Sequence, residues 1–403
     1  MELVGADRVR AAQEVLAGVA RRTPLEHSRV LQRRCGADVY LKCENLQRTG
    51  SFKIRGAYVR LHALPPRRRE RGVVAASAGN HAQGVALAAS LLGIRSTVFM
   101  PEGAPLPKVA ATRSYGADVH LKGVGLEQTL AAAREFAART GAEFIHPFDH
   151  PDVVAGQGTV GLELLEQLPE LGTVVVPTGG GGLLSGIAVA IRAARPRVKL
   201  VGVQAGRMAA WPPSLAVGHP VTVERRATMA DGIAVECPGE ITYAHVSQLV
   251  DEMITVDEEE LSQALLLCLE RAKLVVEPAG AAGVAALLAR PGWFSPPVVT
   301  VLSGGNIDPQ LLLHVIQHGL TAAGRYLSLR VRVPDRPGSL AALLARVGEL
   351  GANVLNVEHS RVARNLALDE VYVELDLETR GSQHRRQVVT ALRAAGYVTT
   401  EAR

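Results

Sequence analysis

Four consecutive glycines, Gly179-Gly180-Gly181-Gly182, stand between the apolar run Thr173-Val174-Val175-Val176 and a helical stretch from Leu183 to Ala194. Such a run carries a backbone-entropy cost at every position. A bare turn would not need it. Successive amides without side chains can all point at one anion, and the helix that follows adds its dipole. The loop therefore reads as a phosphate nest. A dinucleotide fingerprint is excluded, because Leu184 and Ser185 stand five residues after Gly179 and Gly180. A P-loop is excluded too, since no Gly-Lys-Ser/Thr follows.

From about residue 38, short continuous apolar runs alternate with Ala-rich helical stretches. Strands are expected at 73–76, 97–100, 119–121, 173–176, 200–203 and 298–302, with helices at 81–92, 108–115, 126–139, 183–194 and 280–288. Strands that are apolar throughout are buried on both faces, which means a mostly parallel sheet with helices on each side. Ligands of such sheets sit at the carboxyl ends of strands. Ser77-Ala78-Gly79-Asn80-His81, the four glycines and Ser303-Gly304-Gly305-Asn306 each follow a strand, so they are expected to converge.

A different pattern begins near Arg325. Leu327 to Val333 alternates apolar and polar residues, and Asp335-Arg336-Pro337-Gly338-Ser339 reads as a turn with Ser339 capping a helix from Leu340 to Leu350. Strands at 354–358 and 368–377, a helix at 383–394 and an edge near Tyr397 complete a βαββαβ order. This is a separate antiparallel α+β module, with 318–324 as the expected linker.

The 403 residues allow two or three domains. No apolar run approaches the roughly 18 residues of a membrane span, and the start lacks the order of a secretory signal. Four cysteines without CxxC spacing read as reduced thiols at a cytoplasmic address. The net charge is +5, but basic runs such as Arg67-Arg68-Arg69 lack interleaved aromatics and read as solvated loops. Neither membrane, nucleic acid nor bound metal is expected.

Lys53 lies between Phe52 and Ile54, opening a helix after the turn Thr49-Gly50-Ser51. An apolar setting lowers a lysine pKa, as a Schiff-base lysine requires; taken alone, such a side chain usually reaches solvent. One lysine, one nest of amides and the Ser303 hydroxyl together match the needs of pyridoxal phosphate: the lysine takes the aldehyde, the glycines the phosphate, the hydroxyl the ring nitrogen. Ser77 and Asn80 suit an amino-acid carboxylate, although ordinary capping explains them equally well, and Ser303 could equally bond to backbone. His27 and His81 show no metal-ligand spacing and read as structural.

The stretch from Lys42 to Ala57 resembles the cofactor-attachment signature of serine/threonine dehydratases, with Ser51-Phe52-Lys53-Ile54-Arg55-Gly56 at its centre. The Ser77 to Gly84 segment, the tetraglycine loop, Ala230-Asp231-Gly232, Glu277-Pro278-Ala279-Gly280 and Ser303 to Asn306 resemble that family in the same order, over roughly residues 5 to 320. The resemblance implies a tryptophan-synthase-β-like fold of type II, two open mostly parallel αβα subdomains over residues 1–320, and a ferredoxin-like ACT domain over 325–403. It implies pyridoxal phosphate held by Lys53, Phe52, Asn80, Gly179, Gly180, Gly181, Gly182, Leu183, Glu277 and Ser303. Ser77, Ala78, Asn80 and His81 would face the substrate, and Asp335, Pro337, Gly338 and Asn353 an amino-acid effector. The implied reaction removes the Cα proton and the β-hydroxyl of threonine or serine, with Lys53 and Ser77 as catalytic residues, to leave a 2-oxo acid and ammonia. A homodimer or homotetramer is implied as well.

Two departures refine this expectation. Racemase relatives carry serine where Ala78 stands, so the opposite face of the substrate lacks an acid–base group. Divalent-ion-binding relatives carry carboxylates after the 200–203 strand, whereas this chain reads Gln204-Ala205-Gly206-Arg207-Met208-Ala209-Ala210. A serine-preferring dehydratase, a serine racemase and an inactive amino-acid sensor are the alternatives.

Overall fold

The protein is described by a computed structural model covering residues 2–361 and 366–401. It separates into two compact units, Met1–Pro309 and Gln310–Arg403. The first contains two sheets. The smaller has four parallel strands in the order Asp118–Leu121, Ser96–Met100, Val73–Ala76, Glu143–Phe144. The larger has six, in the order Leu25–His27, Val39–Lys42, Val298–Val301, Thr173–Pro177, Lys199–Ala205, Glu252–Val256, and only the Leu25–His27 edge runs antiparallel. Val73–Ala76, Thr173–Pro177 and Val298–Val301 are buried along their whole length. That burial is why they read as unbroken apolar runs.

One long helix, Pro151–Gln167, packs against both the lysine-bearing helix Lys53–His62 and the glycine-loop helix Gly182–Ala194. The approach is close enough to dictate residue type. A Cβ at Gly156 would lie 2.7 Å from the Arg55 carbonyl oxygen, and one at Gly186 would lie 2.3 Å from the Val154 carbonyl oxygen. The spacing between the lysine-bearing helix and the glycine-loop helix is therefore set by backbone-to-backbone contact, which is stiffer than side-chain packing.

The second unit holds an antiparallel sheet in the order Asn353–Ser360, Glu370–Glu378, Tyr326–Pro334, Val398–Glu401, with helices Ser339–Glu349 and Ser382–Ala394. Its core is Leu327, Leu329, Val331 and Val333 against Leu343, Val347 and Val388. Three sequence expectations need correction here. The segment 318–324 is no extended linker, because the helix Pro309–Ala322 runs through most of it. Ser339 does not cap its helix: Gly338, at φ 89°, occupies the cap position, and no side chain bonds there. Leu368 lies before its strand and is fully exposed. Of the expected module, residues 362–365 and 402–403 lie outside the described residues.

Candidate active site

The Ser77 and Ser303 loops meet through Asn80 and Asn306, and the glycine loop and Lys53 both adjoin the segment Pro147-Phe148. Ser51 forms a β-bridge with Gly304, the Phe52 amide donates to the Ser303 carbonyl at 3.2 Å, and the Gly305 amide donates to the Gly50 carbonyl at 2.8 Å. The lysine turn is thus stitched to the Ser303 loop by backbone bonds. Lys53 opens its helix, and its Nζ donates to the Pro147 carbonyl at 2.9 Å while lying 5.1 Å from the Phe52 ring centre. Burial pulls its pKa down to about 8, with Glu277 pushing weakly the other way. A lysine in that range is partly neutral at physiological pH, as a nucleophile and proton acceptor must be.

Gly181, at φ 94°, caps the helix Gly182–Ala194. A Cβ at Gly180 would fall 2.4 Å from the Phe148 ring, and one at Gly181 would fall 2.5 Å from Trp211. The glycines are required by this packing as well as by any ligand. Among the described residues, the amides of Gly180, Gly181, Gly182, Leu183 and Leu184 donate to no protein acceptor, although all five residues are buried. Buried unpaired amides are costly, and five at one helix N-terminus fit a phosphate. Leu183 contributes only its amide, because its side chain belongs to the hydrophobic core.

Ser303 is 4 % exposed, and its hydroxyl makes no hydrogen bond among the described residues. It is free for a ring nitrogen. Ser77 Oγ accepts from the Gly79 amide at 3.1 Å, so part of its capacity serves the local turn. Asn80 opens the helix Asn80–Leu91, and its Nδ2 donates to Glu277 Oε1 at 2.6 Å. Glu277 is buried, and its pKa is pushed up to about 7, first by burial and then by Asp231. His81 turns Nε2 to the Ile145 carbonyl at 2.9 Å, and burial keeps it neutral, its pKa lowered to about 3. Ala78 is half-buried beside these residues and carries no polar group.

Beneath the lysine turn lies a buried charge cluster. Arg55 donates to Glu44 at 2.8 and 2.9 Å and to Glu163 at 2.6 Å, while Lys42 sits on Glu163 and on the Thr23 carbonyl.

The loop His146 to His150 went unread in sequence, yet it supplies the carbonyl to Lys53 and the ring that packs on the nest. Its only sequence signal is a His-Pro-Phe-Asp-His string after the weak strand Glu143–Phe144.

This constellation has close relatives. The family described as Pyridoxal-phosphate dependent enzyme matches residues 16–304, and the ACT domain matches residues 327–396. The chain belongs to the pyridoxal-phosphate dependent enzyme family. It is 48 % identical over 395 residues to the L-threonine ammonia-lyase of Thermotoga maritima, covering 98 % of each chain. It is 44 % identical over 310 residues to the catabolic L-threonine dehydratase of Escherichia coli, covering 76 % of this chain and 94 % of that one. Among solved structures, the processed form of threonine deaminase isoform 2 from Solanum lycopersicum superposes with a TM-score of 0.74 at 35 % identity, covering 79 % of this chain and 90 % of that one. Maize serine racemase gives 0.74 at 36 %, covering 80 % and 99 %. This pyridoxal-phosphate enzyme thus shares its fold with lyases and racemases alike, and chemistry must be argued from the site.

In the ACT domain, Asp335, Pro337 and Gly338 share the turn after Tyr326–Pro334. Asn353 does not join them. Pro334 pairs with Glu370, whereas Asn353 and Tyr326 both pair with Glu378, eight residues along the same strand. At about 3.3 Å per residue the two ends are ~26 Å apart. Within one chain the four residues expected to face an effector therefore form no single site.

Proposed function

We propose that this chain is an L-threonine ammonia-lyase, converting threonine to 2-oxobutanoate and ammonia, and serine to pyruvate and ammonia. The observation that carries it is the pairing of a pKa-lowered Lys53 with five unpaired amides of the glycine loop, in a chain matched end to end by a threonine ammonia-lyase. Lys53, Ser303 and the amides of Gly180 to Leu184 would hold pyridoxal phosphate, which when bound supplies an electron sink for negative charge at the substrate Cα.

The protein's part is positional and protonic. Ser77 and Asn80 would bind the substrate carboxylate and so orient Cα towards Lys53, and the Asn80 amide would also meet the cofactor. Neutral Lys53 takes the Cα proton, its Nζ held in place by the Pro147 carbonyl. The β-hydroxyl then leaves, and water restores the balance: one threonine yields one oxobutanoate and one ammonia. Ala78 cannot return a proton from the opposite face, which favours elimination over racemisation. Serine lacks one methyl, worth only about 1–3 kcal/mol of discrimination, so it is turned over too.

The ACT domain is assigned to amino-acid regulation, with isoleucine and valine as candidate effectors, and the enzyme to a homo-oligomer. Four unpaired cysteines support a cytoplasmic address. Among the described residues no helix is long and apolar enough to cross a membrane.

Incubation with L-threonine should give equal amounts of 2-oxobutanoate and ammonia without D-allo-threonine, the product of inversion at Cα alone. Epimerised threonine with little ammonia would transfer the assignment to a racemase. Deleting residues 325–403 should abolish any response of rate or melting temperature to amino acids. An unchanged response would remove the regulatory role.

A further inference from the structure

The Asn80 amide is gripped at both ends. Its Nδ2 donates to Glu277 Oε1 at 2.6 Å, and its Oδ1 accepts from Asn306 Nδ2 at 2.8 Å. The second Asn306 N–H goes to the Thr49 carbonyl at 2.7 Å. These partners dictate direction. A backbone carbonyl can only accept, so Asn306 must turn its nitrogen towards Thr49 and Asn80. Asn80 must answer with its oxygen, which leaves its nitrogen for Glu277. A Glu277 carboxyl with its pKa raised to about 7 keeps an accepting oxygen in either protonation state.

Two glycines make room for the grip. Gly50, at φ 70°, would place a Cβ 2.3 Å from Asn306 Oδ1. Gly304 would place one 2.1 Å from Glu277 Oε1 and 3.0 Å from Asn80 Nδ2. The chain of bonds starts at Thr49, four residues before Lys53, crosses the Ser303 loop at Asn306 and ends at Glu277, the cap of the helix Pro278–Ala289.

We propose that Asn306 and Glu277 are a positioning pair for the bound cofactor, fixing which end of the Asn80 amide meets it beside Lys53. The proposal rests on the cofactor reading of this pocket. Both residues act through Asn80, and neither needs to touch the substrate.

Loss and conservative rescue of the grip separate positioning from mere stability. Asn306→Asp puts an acceptor against Asn80 Oδ1 and the Thr49 carbonyl, where a donor stood, and Glu277→Leu removes the acceptor of Asn80 Nδ2. Each should weaken pyridoxal phosphate binding about tenfold, the worth of one buried hydrogen bond, and change the fluorescence spectrum of the bound cofactor. Glu277→Gln keeps an accepting oxygen for Asn80 and should bind within about twofold of the parent. Binding by Asn306→Asp or Glu277→Leu within about twofold of the parent, or binding by Glu277→Gln as weak as by Glu277→Leu, would overturn the proposal. If Asn306→Asp does not fold, Asn306→Ser keeps one donor and should weaken binding several-fold; parental binding would again overturn it. A parent protein that binds no pyridoxal phosphate would instead remove the cofactor reading.

Discussion

Replacing Arg55 with methionine tests what holds the lysine segment from below. The guanidinium is 1 % exposed and shared between Glu44 and Glu163, while Lys42 sits on Glu163. Two cations and two carboxylates therefore balance in a dry interior. Methionine keeps much of the stem volume but leaves two carboxylates with one lysine. Removing one partner from a buried pair costs about 3–5 kcal/mol, since the remaining charge has neither solvent nor counter-ion. Urea unfolding followed by circular dichroism should show a loss of that size. Adding Glu44→Gln restores the balance of Lys42 with Glu163 and should recover about 1–3 kcal/mol of it. Acid gives an independent check. Burial would raise the Glu44 carboxyl, but the charge and hydrogen bonds of Arg55 outweigh it and hold the carboxyl low. Stability from this group is fully present above the unfolded carboxylate pKa and is lost as pH falls through the lower folded value. The gap between parent and Arg55→Met should therefore narrow in acid. A cost below about 1 kcal/mol, or a double variant no more stable than Arg55→Met, would refute the charge-balance reasoning.

Gly180→Ala places a methyl against Phe148, so pyridoxal phosphate affinity should fall at least about tenfold; adding Phe148→Ala should restore part of it. Full affinity in Gly180→Ala would contradict the packing argument. Lys53 titrates at about 8, so the rate of covalent cofactor attachment to apoenzyme should rise with pH up to about 8 and then level off. A rate still climbing above about pH 10 would mean an ordinary lysine. If Ser303 faces the ring nitrogen as proposed, Ser303→Asp puts a charged group where a neutral hydroxyl stands and should raise D-amino-acid side products relative to ammonia. An unchanged product ratio counts against the role given to Ser303.

The parallel sheets and the strand-end loops were legible in sequence because burial on both faces leaves unbroken apolar runs and glycines that cannot be replaced. Lys53, Ser77, Asn80, Gly179 to Gly182 and Ser303 stand in or beside those loops and so could be picked out as candidates. What was not legible depends on partners far along the chain. Glu163 stands 108 residues from Arg55, and nothing local marks either as half of a buried pair. Asn306 lay within a motif already noted, but its bond to Asn80 spans 226 residues. The helix 309–322 was missed where its polar and glycine residues read as linker. The separation of Asn353 from Asp335 emerges only from strand register.

The most direct test is where the cofactor attaches. Protein purified with pyridoxal phosphate should show a visible absorbance band that borohydride bleaches, and peptide mapping of the reduced protein should place the cofactor on Lys53. Lys53→Ala should show neither band nor adduct and should release no ammonia from threonine. A bleachable band that persists in Lys53→Ala, or an adduct on another lysine, would contradict the site built here from Lys53, the glycine nest and Ser303.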